Sequence, residues 1–425
     1  MARRLMAGLL GLCLIASAAG AADAKQPAIA PGTVITAQNW QQYRDFMPLG
    51  LQKILQGASV WSLPPDWAME VGPTVDYPVP RQWWDATEKY KGQTRLIKLA
   101  SGGYTVEGYT AGTPFPDYSG PDAAYKLLYN LYYHYIGAIN YYQSVGYAID
   151  RYLNKTENLS YQVYLQFTHL VDPGFPGYAR EMPGYFASYY NELVAPEQSK
   201  YTTPLYLIRD NPQTVPEFYV FLPSLRRSLR LSAGARCAPY AGTDYVGDDT
   251  YWGVPLPVGW FQASFVGHRQ MLIFRPTPDN RALYNVKDNY YPRFLFPKPV
   301  IGKWQVFDAV VLDLSRVPTM SSGYCYGLRR IYADPRTWNV IWIDLYDAQH
   351  RFWKLNGYLQ SPHPIPGGGY LPEAGGVNWM IDFQNLHASM SLVGGDVFTV
   401  NQEVPRQFWD VSRYGSPGGL QKIMR

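Results

Sequence analysis

Apolar and polar residues alternate from Tyr161 to Leu170. Tyr161, Val163, Leu165 and Phe167 fall on one side, Gln162, Gln166 and Thr168 on the other, which is the period of a half-buried strand. Glu217 to Leu222, a break at Pro223-Ser224, and Leu225 to Leu231 predict a hairpin. A second hairpin runs from Arg329 to Ala333, turns at Asp334-Pro335 and returns from Asn339 to Tyr346, with a further strand from Gln349 to Leu355. Val306 to Leu314 predicts another strand. Strands joined by short turns, with few helices between them, predict an α+β protein built on a large antiparallel sheet. The arms Phe218 to Leu222 and Val340 to Ile343 are apolar on both faces. Such strands need cover on both sides, or one face lining an apolar cavity.

Helical spacing is clearest from Pro121 to Tyr142, where Leu128, Leu131, Tyr135 and Ile139 recur and Ser119 is the expected cap. Lys126, Asn130 and His134 interrupt it too often for a membrane span. Thr36 is expected to cap a short helix ending at Phe46, with another over Leu49 to Leu55. The stretch Trp61 to Trp84 is proline-rich and carries Trp61, Trp67, Trp83 and Trp84, so it predicts an extended strap held to the body by its aromatics. Residues 35–425 thus form one β-rich domain, with helices and strap over 35–145 and a Gly- and Pro-rich tail over 361–425. In that tail Val377 to Asn385 and Ala388 to Leu392 are expected as edge strands or a lid.

The first residues follow another rule. Arg3 and Arg4 precede an apolar run from Leu5 to Ala18, and Ala19-Gly20-Ala21 and Ala22-Asp23-Ala24 each offer a small-x-small cleavage site. The run is too short to span a bilayer core of ~30 Å. Residues 1–24 are therefore expected to be a signal peptide and 25–34 a flexible lead-in, placing the protein in the periplasm, in association with the outer membrane; a buried N-terminal helix is the alternative. Loss of Arg3 and Arg4 takes the formal charge from +4 to about +2. Without a basic face or stripe, nucleic acid is excluded as a partner.

Aromatics make up 16% of the chain and Tyr alone numbers 37, so the folded surfaces must be half apolar and half polar. Beyond Cys13 of the signal segment, Cys237 and Cys325 remain, predicting one disulfide in an oxidising compartment; two separate buried thiols are the alternative. The hydrolase, zinc-protease and nucleotide-binding motifs are missing, and the histidines at 134, 169, 268, 350, 363 and 387 have no metal-ligand spacing, so neither cofactor nor metal is expected. Asp248-Asp249 is the one carboxylate pair that suggests cation binding or acid/base chemistry. Gly247-Asp248 is equally good turn chemistry, with Asp249 as a cap.

Several segments carry a family resemblance: Ile35-Thr36 with Asn39, Tyr43 to Leu55, and Gly112-Thr-Pro-Phe-Pro116; then Glu217 to Arg227 with Asp248-Asp249 after it, and Arg330 to Trp338 leading to Asp344 and Asp347. Their order resembles the bacterial envelope family called domain of unknown function 1329 (DUF1329). The resemblance implies a fold similar to the periplasmic lipoprotein carriers: a strongly curved antiparallel sheet, an incomplete barrel, with helices covering its mouth. It also implies an exported protein found beside outer-membrane and exporter proteins, which are the expected protein partners, and it brings no catalytic residues.

Together these readings predict a non-enzymatic carrier of a lipid, acyl chain or hydrocarbon. Tyr219, Phe221, Trp342 and Trp353 are the expected lining and Tyr346 a polar handle. An envelope enzyme acting on polysaccharide or lipid through Asp248, Asp249 or His268, and a scaffold binding proteins through exposed Tyr and Trp, are the alternatives. The export reading makes the first prediction. Intact-mass analysis of the envelope fraction should find the chain beginning at Ala22 or Lys25, and a retained Met1 would overturn it.

Overall fold

The computed structural model describes residues 28–423 except 58, 173, 175–181, 233–235, 240, 241, 278 and 279. The segments expected to be a signal peptide and the start of a lead-in, residues 1–27, therefore lie outside the described residues. Thirteen strands form one antiparallel sheet. One half holds β5 (Ile139–Ile149), β6 (Lys155–Gln166), β7 (Tyr185–Ala195), β8 (Thr203–Arg209), β9 (Glu217–Leu222) and β10 (Arg227–Leu231). The other holds β11 (Phe261–Pro276), β14 (Gly302–Arg316), β15 (Tyr326–Asp334), β16 (Asn339–Asp347), β17 (Phe352–Pro364), β18 (Tyr370–Asp382) and β19 (His387–Val400). The order is β10-β9-β8-β7-β6-β5-β19-β18-β17-β16-β15-β14-β11, so β10 and β11 are free edges and the barrel is incomplete. Three two-stranded sheets stand beside it: β1 (Val34–Thr36) with β2 (Ala68–Glu70), β3 (Arg95–Lys98) with β4 (Tyr104–Glu107), and β12 (Tyr290–Tyr291) with β13 (Phe296–Pro297).

Curvature follows from what one helix touches. The helix α3 (Ala123–Tyr132; α1 is Leu49–Leu55 and α2 is Arg81–Tyr90) shares a core with Phe186 and Ile208 on β7 and β8, and with Val310, Leu312, Ile331 and Ile343 on β14 to β16. In a flat sheet, β7 and β14 would lie eight spacings of about 4.8 Å apart, roughly 38 Å. A helix is only ~10–12 Å across, so the sheet must wrap around it. We call the face toward α3 the inner face. The outer face is covered by the N-terminal segments, by 283–301, and past β19 by the C-terminal helices Val411–Tyr414 and Pro417–Leu420.

Both predicted hairpins form, with Arg227 opposite Leu222 in one and Asp334 opposite Asn339 in the other. Several expectations need correction. The helix foreseen to Tyr142 ends at Tyr132. His134 Nδ1 contacts Leu131 O at 2.7 Å and Tyr251 donates to Tyr132 O at 2.9 Å, so side chains satisfy the last carbonyls. Gly137 then turns with φ +85°, where a Cβ would meet Val400 at 2.8 Å, and β5 begins two residues later. Ser119 is not the cap; Asp122 holds that position without a side-chain bond. Thr36 ends β1, and the short 3-10 helix starts at Trp40. Within the strap Trp61 and Trp67 are buried as expected, but Trp83 and Trp84 sit on α2. Most consequentially, β18 and β19 are central strands, and β19 pairs with β5 to join the two halves.

One residue fixes the outer cover to the sheet. Pro48 gives α1 no side-chain cap; the buried Asp344 of β16 accepts from Leu49 N at 2.8 Å and Gly50 N at 2.9 Å instead. Gly50 is required here, because a Cβ would fall 2.4 Å from Leu355 Cβ. Burial pushes the Asp344 carboxyl up from 3.8 to about 6 although these bonds favour its charged form. The folded state thus holds a proton that the unfolded chain has released between those values. The contribution of this group is fully present below pH 3.8 and is lost as pH rises through about 6. At ~1.4 kcal/mol per unit, the loss is about 3 kcal/mol. Urea denaturation of wild type and Asp344→Asn across pH 4–7 should show this slope in wild type only, with the variant less stable at pH 4, where a helix-end N–H loses its acceptor, and the gap narrowing as pH rises through about 6. Parallel pH profiles would contradict it.

Candidate functional site: two clefts on the inner face

Alternation along the edge strands sorts their residues cleanly. On β9, Phe218, Val220 and Leu222 point inward and with Pro204, Tyr206 and Leu256 line an apolar cleft of about 230 Å³. Glu217, Tyr219 and Phe221 point outward. Phe221 packs with Tyr190, Leu205 and Leu207 on the side covered by Val411 and Leu420, and Tyr219 donates to Glu217 at 2.8 Å. Tyr219 and Phe221, the residues of β9 expected as lining, therefore lie on the face opposite the cleft, a one-residue choice that inverts every side chain.

A larger cleft of about 460 Å³ lies over β5 to β7 and β17 to β19. Its floor is a carpet of neutral polar groups. Ser144 and Ser160 are 2.9 Å apart, Gln162 donates to Ser144 at 3.0 Å, and Gln360 donates to Asn378 at 3.2 Å. Asn191, Ser389 and Ser391 complete it. Aromatic walls rise around this floor: Tyr142, Tyr189, Tyr245, Trp252, Tyr358 and Phe398. The phenols of Tyr142 and Tyr189 meet at 3.0 Å, and burial pushes the Tyr189 phenol up to about 12, so it remains a donor at neutral pH.

The two clefts share Pro204 and lie on either side of the turn Gly247–Thr250. That turn belongs to a segment, residues 236–258 with 240 and 241 outside the described residues, which crosses the inner face and is pinned along its length. Cys237 is bonded to Cys325 with Cα atoms 5.6 Å apart. Asp248 pairs with Arg236 and, at 3.0 Å, with Arg316. Asp249 pairs with Arg329 at 2.8 Å, accepts from Tyr326 at 2.9 Å, and caps its own turn through Val246 N. Asp244 holds His387 and Ser389 on β19. Trp252 takes φ +44°, rare for so large a residue, and Gly253 follows at +75°, where a Cβ would strike Ile343 at 2.4 Å. This left-handed pair sets the indole beside the cleft against Tyr164 and Tyr189, with His134 behind it. Burial pushes His134 down to about 4, so it is neutral there.

The remaining expected site residues lie elsewhere. Trp342 is fully buried on the outer face, donates to Leu272 O at 2.8 Å, and stacks on Trp304. Tyr346 packs edge-on to Phe352. Trp353 bonds Asp382 at 2.7 Å and contacts Tyr326. None of the three lines either cleft. Asp248 is held by two arginines and Asp249 by Arg329 and Tyr326, and the His268 ring packs on Tyr118 and Phe265. Among the described residues no three His, Cys, Asp or Glu side chains gather as a metal site, and no helix is long and apolar enough to cross a membrane.

A family model described as a protein of unknown function, DUF1329, matches residues 34–408. The chain belongs to that family. Among solved structures, a DUF1329 family protein from Desulfovibrio piger is similar at 12% identity and TM-score 0.47, covering 69% of this chain and 98% of its own. A putative outer membrane lipoprotein-sorting protein domain from Vibrio parahaemolyticus is similar at 9% identity and TM-score 0.43, covering 64% and 89%. A LolA superfamily protein from Nitrosomonas europaea gives 10% identity and TM-score 0.38, covering 67% and 96%. None of the curated proteins matches the chain.

For this DUF1329 chain the crossing segment predicts a defined thiol chemistry. Alkylation of native, non-reduced protein should leave Cys237 and Cys325 unmodified. Reduction should lower stability to urea by up to about 4–5 kcal/mol, the chain-entropy value for a sequence separation of 88. Two thiols that alkylate without reductant would overturn the bridge.

Proposed function

We propose that this protein is a non-enzymatic carrier of a hydrophobic molecule, acting in the periplasm or at the outer membrane. The observation that carries the reading is the apolar cleft lined by Phe218, Val220 and Leu222, opening on a wrapped sheet beneath a cross-linked segment. Apolar side chains on a concave surface bind by removing cargo from water, at about 0.8 kcal/mol for each CH₂ buried. Export is supported by the order of charge, apolar run and small residues over 1–24. The acid/base alternative loses its best candidates: two aspartates held by three buried or half-buried arginines serve as struts. The scaffold alternative has little to draw on, since among the described residues the large exposed aromatics are only Trp84 and Tyr152.

Binding of the neutral fluorophore N-phenyl-1-naphthylamine to the full chain tests the reading. Wild type should bind it, and Val220→Asp, which sets a charge in the cleft, should weaken binding at least about tenfold. Tyr219→Ser, on the opposite face of the same strand, should leave it unchanged. Failure of wild type to bind any apolar probe, or equal loss in both variants, would reject the carrier.

A further inference from the structure

The larger cleft has a chemistry that a simple fat-binding groove does not need. Among the described residues its lining holds no lysine, arginine or glutamate, and its one carboxylate, Asp249, pairs with Arg329 at 2.8 Å and accepts from Tyr326 at 2.9 Å. The smaller cleft is lined, among the described residues, by one cation, Arg236, whose Nε donates to Asp248 at 2.9 Å. A carboxylate or phosphate entering the larger cleft would leave water without meeting a counter-charge, and burying an unpaired charge is prohibitive. What the cleft offers is neutral: hydroxyls that donate and accept, and amides with both functions.

Two of those amides are left wanting a partner. Asn140 borders the cleft and is only 2% exposed; its Nδ2 donates to Ile136 O at 2.8 Å, while its buried Oδ1 accepts nothing. The Oδ1 of Asn191, on β7, is likewise buried and unpaired. A buried acceptor without a donor costs about 1–3 kcal/mol, which a hydroxyl of a ligand would recover. The rings of Tyr142, Tyr189, Tyr245 and Trp252 supply flat apolar walls beside these groups, and Pro204 borders both clefts.

We infer that the cargo is an amphiphile with an uncharged, hydroxyl-bearing head, such as a glycosyl or glyceryl group, held in the larger cleft with its tail entering the smaller one. The inference rests on the carrier reading and narrows it, because it disfavours free fatty acids and anionic phospholipids.

Displacement of N-phenyl-1-naphthylamine from the full chain tests it, using dodecyl maltoside, monododecanoyl glycerol, dodecanoate and dodecyl phosphate below their micellar concentrations. The maltoside or the glyceride should displace the probe at concentrations about tenfold lower than either anion, equally at low and high salt. The better of the two neutral ligands identifies the head. Asn191→Leu should reduce that advantage to about twofold. Anions that compete as well as the neutral amphiphiles, or an advantage that survives Asn191→Leu, would overturn the head-group assignment and leave the carrier standing. Free maltose binding as tightly as dodecyl maltoside would overturn the tail. No binding of probe or amphiphile would overturn the carrier reading itself.

Discussion

Everything in this molecule hangs on one strand pairing. β19 inserts between β18 and β5, with Ala388 opposite Ile149 and Val400 opposite Asn140. Without it the chain would be two meanders, β5 to β10 and β11 to β18, each closed by local hairpins. With it they become one sheet long enough to wrap around α3. The floor of the larger cleft straddles that seam, since Ser144 comes from β5 and Ser389 and Ser391 from β19. A contact between distant parts of the chain therefore creates both the curvature and the site. Such pairing carries a large loop-closure entropy, met only when the rest of the sheet is in place to reward it.

The segment that crosses the inner face shows how a groove is kept open. Apolar faces in water close by collapse, and a loop over a concave sheet would be expected to fall into it. Here the loop is suspended by bonds that are short and directional. The disulfide ties one end to the entry of β15, and the aspartates of the central turn grip Arg316 and Arg329 on β14 and β15. Asp244 holds β19. Buried ion pairs are weak as net stabilisers but exacting in geometry, and breaking one leaves an uncompensated charge. Their value in this place is position: they fix the turn Gly247–Thr250 between the two clefts and set Trp252 against the larger one.

Much of this plan is legible in the sequence. The hairpins at Pro223-Ser224 and Asp334-Pro335, the helix Leu49–Leu55 and the antiparallel class follow from period and turn chemistry, which act locally. The errors arise where tertiary contacts override local pattern. Tyr135 and Ile139 continue the spacing of α3, yet Gly137 must turn against Val400, a contact made from the far end of the chain. Once β5 is read as helix, Tyr142 and Ser144 cannot be seen as a cleft floor. Tyr219 and Phe221 lie on a strand apolar on both faces, where period alone cannot say which face is covered. Trp342, the largest side chain of its strand, is for that reason a core residue. The signal for the true floor lay in the polar side of alternating strands, Gln162 and its neighbours, which elsewhere would simply face solvent.

The tyrosine excess gains a structural meaning from the same argument. A sheet curled around a short helix leaves backbone carbonyls within its core and at the core's edge that need donors. Tyr251 donates to the last carbonyl of α3, Tyr129 to Tyr104 O at 2.8 Å, and Tyr109 to Gly112 O at 2.8 Å. Phenylalanine would fill the same volume and leave each carbonyl unpaired, at about 1–3 kcal/mol apiece. Burial raises the Tyr251 and Tyr109 phenols well above their ordinary range, so they remain protonated and keep donating. Tyrosine thus supplies ring and donor together wherever the curved core is both apolar and short of water. The cleft walls use the same residue beside a neutral polar floor, so the solution that closes the core also shapes a site for a molecule of mixed character.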